Sequence, residues 1–345
     1  MKHVLVTRLD SAGDVLLAGP AIRAVANGAD RVILVHGPRG AEAAALLPGV
    51  DELLELRAPW IDPAPEPVDG DVLDAFIDEV MALGVDEAII LGSFHQSPLP
   101  TALLLRLAGV PRVGAICEDY PGSLLDVRHR PGEGLHEVER NLSLVQAMGY
   151  RLPEGDDRRL RIERRGRLPD RVAAHRPYVV VHPGASVPAR AWPAERHAEL
   201  VGLLAAAGRR VVVTGGREEI GLTARVAGSP RPQVADLGGH TDLATCAEVL
   251  AAADALVVAN TGPAHLAAAV GCPVVSLFAP TVPADRWRPW GVAHELLGRQ
   301  DAACAGSRAT VCPVPGHPCL ADVSAQEAFE AVQRLAPLRV VEAAS

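Results

Sequence analysis

The sequence predicts an α/β protein made of two doubly wound domains, and three observations support this. Short runs of β-branched residues alternate with longer segments rich in alanine and leucine, a pattern typical of parallel strands covered by helices on both faces. The alternation lapses once, between Gly149 and Pro177, where the chain is charged and contains several prolines. The length of 345 residues suits two domains, at roughly 150 residues per domain.

Ten β-branched runs are predicted as strands, five in each half of the chain. Those of the first half are VLVTRL (4–9), RVILVH (31–36), LLEL (53–56), EAIILG (87–92) and RVGAI (112–116). Those of the second half are YVVVHPG (178–184), RVVVTGG (210–216), VADLGG (234–239), ALVVANTG (255–262) and PVVSLFAP (273–280). Because helical segments separate them, the strands are expected to run parallel.

Two of the intervening helices carry recognisable ends. Residues 193–208 open with Pro193 in a first-turn position and close at Gly208. Asp242 is the predicted N-cap of a helix that runs to about residue 254. The first helix precedes the predicted strand at 210–216, and the second lies between the predicted strands at 234–239 and 255–262.

The composition shifts divide the chain into three parts: an N-terminal domain over 1–160, a C-terminal domain over 175–325, and a helix and tail over 326–345. The charged stretch between the domains is predicted to be a linker with one edge strand at 160–162, and residues 58–71 are predicted to form a surface loop. Doubly wound sheets bind ligands at the carboxyl ends of their strands, so the two domains are expected to face a central cleft.

Charge and cysteine content exclude several classes of protein. A net charge of −9 and a pI near 5.7 argue against nucleic-acid binding, which requires a basic surface. Arg8 and Asp10 interrupt the N-terminal apolar run before it could act as a secretory leader, and the six cysteines are sparse. No stretch of sequence is long and apolar enough for a membrane span. The expected location is the cytoplasm.

The loops after the second-half strands have the residue types of an anion site. Neither G-x-G-x-x-G nor the phosphate-binding G-x-x-x-x-G-K-[ST] occurs, and Lys2 is the only lysine. Instead HPGAS (182–186), TGGREE (214–219) and NTGPAH (260–265) each carry glycine with hydroxyl or acidic residues. A helix starting near Pro263 could hold a phosphate at its N-terminus. Alternatively, Thr261 only caps this helix and Gly262 only permits the turn.

The stretch RLDSAGDVLLAGPAIRAV (8–25) places Gly13 and Asp14 between a strand and a helix. Gly13 is expected to let the backbone turn tightly. Asp14 could then project a carboxylate from the first turn as a general base, or it could only cap the helix. Asp10 is a weaker candidate and is expected to be a loop residue.

Together with HPGAS…RAWP, VVVTGGREE, DLGGHTDLATCAEVLAAAD and ANTGPAHLAAAVGCPVVSLFAP, this stretch resembles glycosyltransferase family 9, the ADP-heptose:lipopolysaccharide heptosyltransferases. The resemblance spans roughly residues 1–325. It implies a GT-B fold of two Rossmann-like domains, with the acceptor on the N-terminal domain and the nucleotide sugar on the C-terminal one. It further implies inversion at the sugar without a metal or other cofactor, and Asp14 as the general base.

The resemblance also assigns residues to the two substrates. The donor-binding residues it implies are Ser186, Arg190, Glu218, Glu219, Asn260, Thr261, Gly262 and His265. For the acceptor, Gly13, His95 and Gln96 are candidates. Two positions depart from the family pattern, which usually has lysine at Arg190 and aspartate at Asn260. Arginine keeps the positive charge but is a broader, forked donor, and the asparagine removes a carboxylate.

Weaker signals receive structural interpretations. Cys304, Cys312, His317 and Cys319 cluster near the C-terminus, but they lack the C-x₂₋₄-C pair typical of structural zinc, so no metal is expected. Trp192 is expected to pack. His136, Arg140 and Asn141 are expected to form only the solvated face of a helix.

The predicted activity is transfer of a heptose or related sugar from an ADP-sugar to a hydroxyl of a glycan or small glycoside. A peripheral contact with the membrane is compatible with this activity, and nucleic acid is not an expected partner. Two alternatives remain open at this point: a transferase or epimerase that uses a UDP- or dTDP-sugar, and a protein that binds a nucleotide sugar without catalysis.

Overall fold

The fold was analysed in a computed structural model, which describes residues 1–338. The chain divides into two compact units, Met1–Glu163 and a second unit that begins at Arg164. This division falls within the charged stretch that was predicted to be the linker. The predicted C-terminal helix is present at Ala325–Leu335, and residues 339–345 of the predicted tail lie outside the described part of the chain.

The first unit contains a parallel sheet of six strands in the order β3-β2-β1-β4-β5-β6. The strands are β1 His3–Arg8, β2 Arg31–His36, β3 Glu52–Glu55, β4 Glu87–Ile90, β5 Arg112–Ile116 and β6 Val127–His129. The helices are α1 Ala12–Leu17, α2 Gly19–Ala26, α3 Ala41–Ala44, α4 Gly70–Leu83, α5 Leu99–Leu107 and α6 Glu137–Ala147.

The second unit repeats this architecture in the order β12-β11-β10-β7-β8-β9. Its strands are β7 Tyr178–His182, β8 Arg210–Val213, β9 Val234–Asp236, β10 Ala255–Ala259, β11 Val274–Leu277 and β12 His294–Leu297. Its helices are α7 Asp170–Ala173, α8 Ala194–Ala206, α9 Ile220–Ala227, α10 Leu243–Ala251, α11 Gly262–Ala269, α12 Ala284–Trp287, α13 Pro318–Ala321 and α14 Ala325–Leu335.

The central strands are apolar on both faces because helices cover both sides of each sheet. Val4, Leu5 and Val6 of β1 are fully buried in succession, as are the three valines of β7 at 179–181. All ten predicted runs contain a strand. The predicted ends of two helices are confirmed as well: Pro193 precedes α8, and the Asp242 carboxylate accepts a hydrogen bond from the Thr245 amide at the start of α10.

The sequence analysis predicted the edge strands β3 and β9 but missed the other two edge strands, β6 and β12. β6 and β12 were not predicted because their short, half-buried runs lack the continuous apolar pattern of the central strands. The strand predicted at 160–162 is irregular chain instead. Leu160 is buried there, but its neighbours are exposed, and Arg161 pairs with Asp156 and Asp157 rather than with a sheet.

The strand orders locate the places where each sheet can bind a ligand. In the first unit the order reverses between β1 and β4, and in the second unit it reverses between β7 and β10. Open α/β sheets bind ligands outside the carboxyl ends of the strands at such a reversal. The stretch after β1 contains Asp10 and Asp14, and the stretch after β10 contains Asn260 and Thr261. The predicted catalytic loop and the predicted anion-binding loops after β7 and β10 therefore start where the strand order reverses, which is called the switch point below, whereas the loop 214–219 follows the neighbouring strand β8.

Candidate functional site

The candidate site of the first unit is built around Arg8, the last residue of β1. Its side chain has no solvent exposure, although β1 ends at the rim of the sheet. Arg8 Nη2 lies 3.1 Å from Asp14 Oδ1, and Arg8 Nε lies 3.0 Å from Asp10 Oδ1. Burial lowers the pKa of Arg8, but the surrounding carboxylates raise it more, so the guanidinium stays charged.

Asp14 occupies the first turn of α1 with its side chain 19% exposed. Besides Arg8, it accepts a hydrogen bond of 2.8 Å from the Ser11 hydroxyl. Ser11, not Asp14, is the N-cap residue of this helix. The carboxylate is thus held by two side chains at the sheet's switch point, while part of it remains open to solvent.

Asp10 lies in the loop between β1 and α1, as predicted, but its side chain also takes part in the contacts around Arg8. It is buried, and its Oδ2 accepts a 2.8 Å hydrogen bond from Ser93, which follows β4. The Ser93 hydroxyl in turn lies 2.9 Å from Arg8 Nη2. Burial raises the pKa of Asp10, Arg8 opposes this, and the charge of Asp14 raises it again, with a net upward shift. Asp10 is therefore a buried carboxylate that contacts the same arginine as Asp14.

The expectation that His136, Arg140 and Asn141 form a solvated helix face is wrong, because all three are buried. Glu137 is fully buried too, and its Oε2 lies 3.8 Å from Arg8 Nη1 and 3.7 Å from Arg140 Nη1. The helical spacing could have revealed this: residues 137, 140, 141 and 144 fall on one face, and Leu144 is apolar. The charged residues of this face were misread because they were considered without that spacing.

The three residues predicted to bind the acceptor have different surroundings in the structure. Gln96 Oε1 accepts a hydrogen bond of 2.8 Å from the Ser93 amide, so it supports the loop beside Asp10. His95 is exposed and packs edge-on against the Phe94 ring. Gly13 lies inside α1 and is not among the glycines with positive φ, so the tight turn expected of it is wrong. A pocket beside this loop is lined by polar and apolar residues, including Thr7, Leu9, Asp10, Gln96, Thr101 and Arg140.

In the second unit the structure brings Arg190 and Asn260 together. Arg190 ends a 3₁₀ turn after β7, and its Nη1 lies 3.5 Å from the Asn260 carbonyl oxygen. The Asn260 side chain is buried and bonds the backbone of Ala279 twice, donating to its carbonyl at 3.4 Å and accepting from its amide at 3.3 Å. An amide can do both, whereas an ionised aspartate has no donor. Asn260 thereby ties the loop after β10 to the chain after β11.

The start of α11 was predicted to bind an anion. Thr261 is the N-cap in an extended conformation, and in the described chain its hydroxyl makes no capping hydrogen bond. Pro263 has no amide hydrogen, and the Thr261 and Ala264 amides already donate to backbone carbonyls, at 2.8 and 3.0 Å. The Gly262 amide is therefore the backbone donor that this helix start can offer to an anion. His265 is buried in the first turn. The alternative that Thr261 serves only as a side-chain cap is therefore not supported.

The loop after β8 offers a carboxylate. Glu219 is 28% exposed, accepts a 2.7 Å hydrogen bond from the Gly216 amide, and lies 3.9 Å from His182 Nε2. A Cβ at Gly184 would clash with the Glu219 carboxylate, so glycine there admits this side chain. Glu218 and Ser186 are exposed. The structure thus groups Glu219 with the loop after β7, but places Glu218 and Ser186 at the surface.

Other signals have structural explanations. Trp192 is buried and donates to the Val323 carbonyl at 3.1 Å, which confirms its packing role. Cys304 and Cys319 lie in the core of the second unit. Across residues 1–338, no three histidine, cysteine or acidic side chains are grouped as metal ligands would be. Within the same residues, no helix combines the length and hydropathy needed to cross a membrane.

Comparison with known proteins gives consistent matches. The sequence profile of glycosyltransferase family 9 (heptosyltransferase) matches residues 94–316. Lipopolysaccharide heptosyltransferase 3 of Escherichia coli is 29% identical over 174 residues, which cover 46% of this chain and 49% of the relative. The chain spans about half the length of the first curated relatives it matches.

Solved structures overlap nearly the whole chain. A glycosyl transferase of family 9 from Veillonella parvula has a TM-score of 0.76 at 18% identity, covering 97% of each chain. The Escherichia coli ADP-heptose lps heptosyltransferase II has a TM-score of 0.73 at 20% identity, covering 97% of this chain and 98% of the other. Likeness at this identity shows the fold, and it confirms the predicted GT-B class.

Proposed function

Because the chain belongs to glycosyltransferase family 9, the heptosyltransferase family, we propose that it transfers a heptose or related sugar from an ADP-sugar to an acceptor hydroxyl. The observation that carries this proposal is the setting of Asp14, whose carboxylate is 19% exposed and is fixed by Arg8 and Ser11 at the switch point of the first sheet. A carboxylate held ionised and open to solvent on one side can take a proton from a bound alcohol.

In the proposed reaction, the acceptor binds to the first unit, in residues 1–160. Its hydroxyl oxygen attacks the anomeric carbon of the donor while Asp14 removes the proton, and the sugar is inverted because one displacement occurs. The pocket beside Asp10 brings hydroxyl, amide and charged groups together with apolar walls next to the proposed base. Gln96 is part of that lining, whereas the exposed position of His95 supports a contact only with an outer part of the acceptor.

The donor is proposed to bind to the second unit, in residues 175–325. Negative charge develops on the leaving diphosphate as the bond between the anomeric carbon and the diphosphate oxygen breaks. Arg190 and the Gly262 amide at the start of α11 are the groups that would meet this charge, with Thr261 and His265 beside them. These groups supply positive potential without a metal ion. Glu219, open on one side, is suited to accept from ribose hydroxyls.

The nucleotide preference follows from the family. One solved relative is named for ADP-heptose, and the curated relatives are named for lipopolysaccharide or lipooligosaccharide. We extend both to this chain as proposals: an ADP-sugar donor and an acceptor in lipopolysaccharide assembly, with the reaction on the cytoplasmic side of the membrane. The side-chain amide of Asn260 bonds the backbone of Ala279 through both its oxygen and its nitrogen. We therefore propose that Asn260 affects donor binding indirectly, by holding the loop after β10 in place.

Nucleotide binding gives the direct test of this proposal. We expect isothermal titration calorimetry to detect ADP binding to the full chain and to show at least tenfold weaker binding of UDP, dTDP and GDP, a difference of about 1.4 kcal/mol. Tighter binding of UDP or dTDP would instead support the alternative nucleotide-sugar enzymes. If ADP binds but ADP-heptose is not consumed in the presence of heptose-free lipopolysaccharide, the proposed catalysis is wrong. That result would instead support the alternative of a protein that binds a nucleotide sugar without catalysis.

Arg190→Ala is expected to weaken ADP binding by about 10- to 100-fold, because one charged hydrogen bond contributes about 1.5–3 kcal/mol. His265→Ala should weaken it in the same direction. The matched control is Arg196→Ala, which removes an exposed arginine of α8 paired with Glu199 in the same unit. Unchanged ADP affinity in both site variants would contradict the proposed phosphate-binding site.

A further inference from the structure

Two carboxylates share one nitrogen of a buried arginine in the first unit. Arg8 Nη2 carries two hydrogens but has three acceptors within reach. These are Asp14 Oδ1 at 3.1 Å, the Ser93 hydroxyl at 2.9 Å and Asp10 Oδ2 at 3.4 Å. Because Ser93 donates its own proton to Asp10, the serine connects Asp10 to the same nitrogen a second time. The carboxylates at 10 and 14 therefore compete for the same cation.

The surroundings of Asp10 are otherwise neutral or more distant. The charged groups that face it are Arg8 and Asp14, while Ser93 and Gln96 contribute neutral hydrogen bonds. Glu137 and Arg140, from α6, approach on the Nη1 side of Arg8. Asp10 is nearly buried at 9% side-chain exposure, whereas Asp14 has 19%. Of the two carboxylates, Asp14 is thus the one better placed to reach a substrate.

We propose that Asp10 is a positioning residue that sets the proton affinity of Asp14, because the two carboxylates divide the charge of Arg8 between them. This inference rests on the proposed role of Asp14 as the base. A lone aspartate paired with a buried arginine would be a weak base, since the arginine favours the ionised form. A second carboxylate on the same arginine restores affinity for a proton without releasing Asp14 from its position.

The proton balance of transfer fits this arrangement. The acceptor O–H bond breaks, its oxygen forms the bond to the anomeric carbon, and the bond from that carbon to the diphosphate oxygen breaks. The proton ends on Asp14 and the negative charge leaves with the diphosphate. Protonation of Asp14 then lets Arg8 pair fully with Asp10, so uptake of the proton relieves the competition. The upward shift in the pKa of Asp10 is consistent with that competition.

The test is a pH titration of the full chain labelled with ¹³C at the aspartate carboxyl carbons, followed by NMR without donor or acceptor. The signals of residues 10 and 14 are assigned by difference from Asp14→Asn and Asp10→Asn. In the wild-type chain, we expect both signals to titrate in two steps, because coupled groups take up protons as a pair. In Asp10→Asn, Asp14 should titrate in one step and bind protons about tenfold more weakly.

Asp156→Asn is the matched control. It makes the same chemical change at a buried carboxylate that pairs with Arg23 in the same unit, and the titration of Asp14 should not change. If Asp10→Asn does not fold, the inference is tested by the wild-type titration alone, in which two steps are expected. Independent one-step titrations in the wild type, or an unchanged Asp14 in Asp10→Asn, would overturn the inference. Neither outcome bears on whether Asp14→Asn abolishes transfer, so the proposed function is judged separately.

Discussion

Replacing Asp14 by asparagine is expected to lower the rate constant of sugar transfer by about 10²- to 10⁴-fold, the usual contribution of a positioned general base. Asparagine keeps the size of the side chain and can still contact Arg8 and Ser11, but it cannot accept the proton of the acceptor hydroxyl. The measurement is release of ADP from ADP-heptose with heptose-free lipopolysaccharide as acceptor. The affinity for ADP should stay within a factor of about two, because the donor groups belong to the other unit.

Asp156→Asn serves as the control here also, since its carboxylate pairs with Arg23 away from the switch point. It should retain wild-type turnover. A turnover of Asp14→Asn equal to that of the wild type would show that another group takes the proton. A loss of ADP binding in Asp14→Asn would indicate that the substitution disturbs the fold, so the rate could not then be assigned to proton transfer.

Replacing Arg8 by methionine is expected to cost about 3–5 kcal/mol of the free energy of unfolding of the first unit. Methionine fills a similar volume, but Asp10, Asp14 and Glu137 would remain close together without their shared cation. Burying carboxylates without that partner raises their pKa values above those of the unfolded chain. The loss should therefore be largest near neutral pH and shrink toward about pH 4, where the unfolded carboxyls also become protonated.

Hydrogen exchange followed by mass spectrometry measures this effect for each unit separately. Peptides from residues 1–163 should exchange faster in Arg8→Met, while those from the second unit should keep their wild-type rates. Arg23→Met is the matched control, because it leaves a single buried partner, Asp156, and that partner also contacts Arg161. Adding Asp10→Asn to Arg8→Met should recover part of the loss. An equal loss in Arg23→Met, or no recovery in the double variant, would contradict the shared role assigned to Arg8.

The preference for arginine is consistent with this chemistry. Lys2 is the only lysine of the chain, so its buried cations are arginines. Arg8 presents three nitrogens in one plane, and each lies near a different set of acceptors. A lysine at this position would offer one charged nitrogen and could not contact the carboxylates at 10 and 137 from two sides. The guanidinium is therefore what allows several acids to be gathered at one strand end.

By itself, the sequence determined the class of fold and the location of the loops. Continuous β-branched runs mark strands that are buried on both faces, and the strands at 31–36 and 112–116 have the predicted bounds. Helix signals depend on residues that are close in sequence, so the starts of α8 and α10 could also be predicted, from Pro193 and Asp242. Two of the four edge strands, β6 and β12, were not predicted, because half-buried runs such as 127–129 carry no periodic signal of their own.

Only the tertiary structure decided which side chains meet at the end of β1. Arg8 and Ser93 are 85 residues apart, and their contact depends on the pairing of β1 with β4. The burial of Glu137 depends on how α6 packs against the rest of the unit, which local sequence does not record. A motif could therefore point to Asp14, but the groups that control its charge come from distant segments. Such contacts are set by strand order and helix packing, and those are properties of the folded chain as a whole.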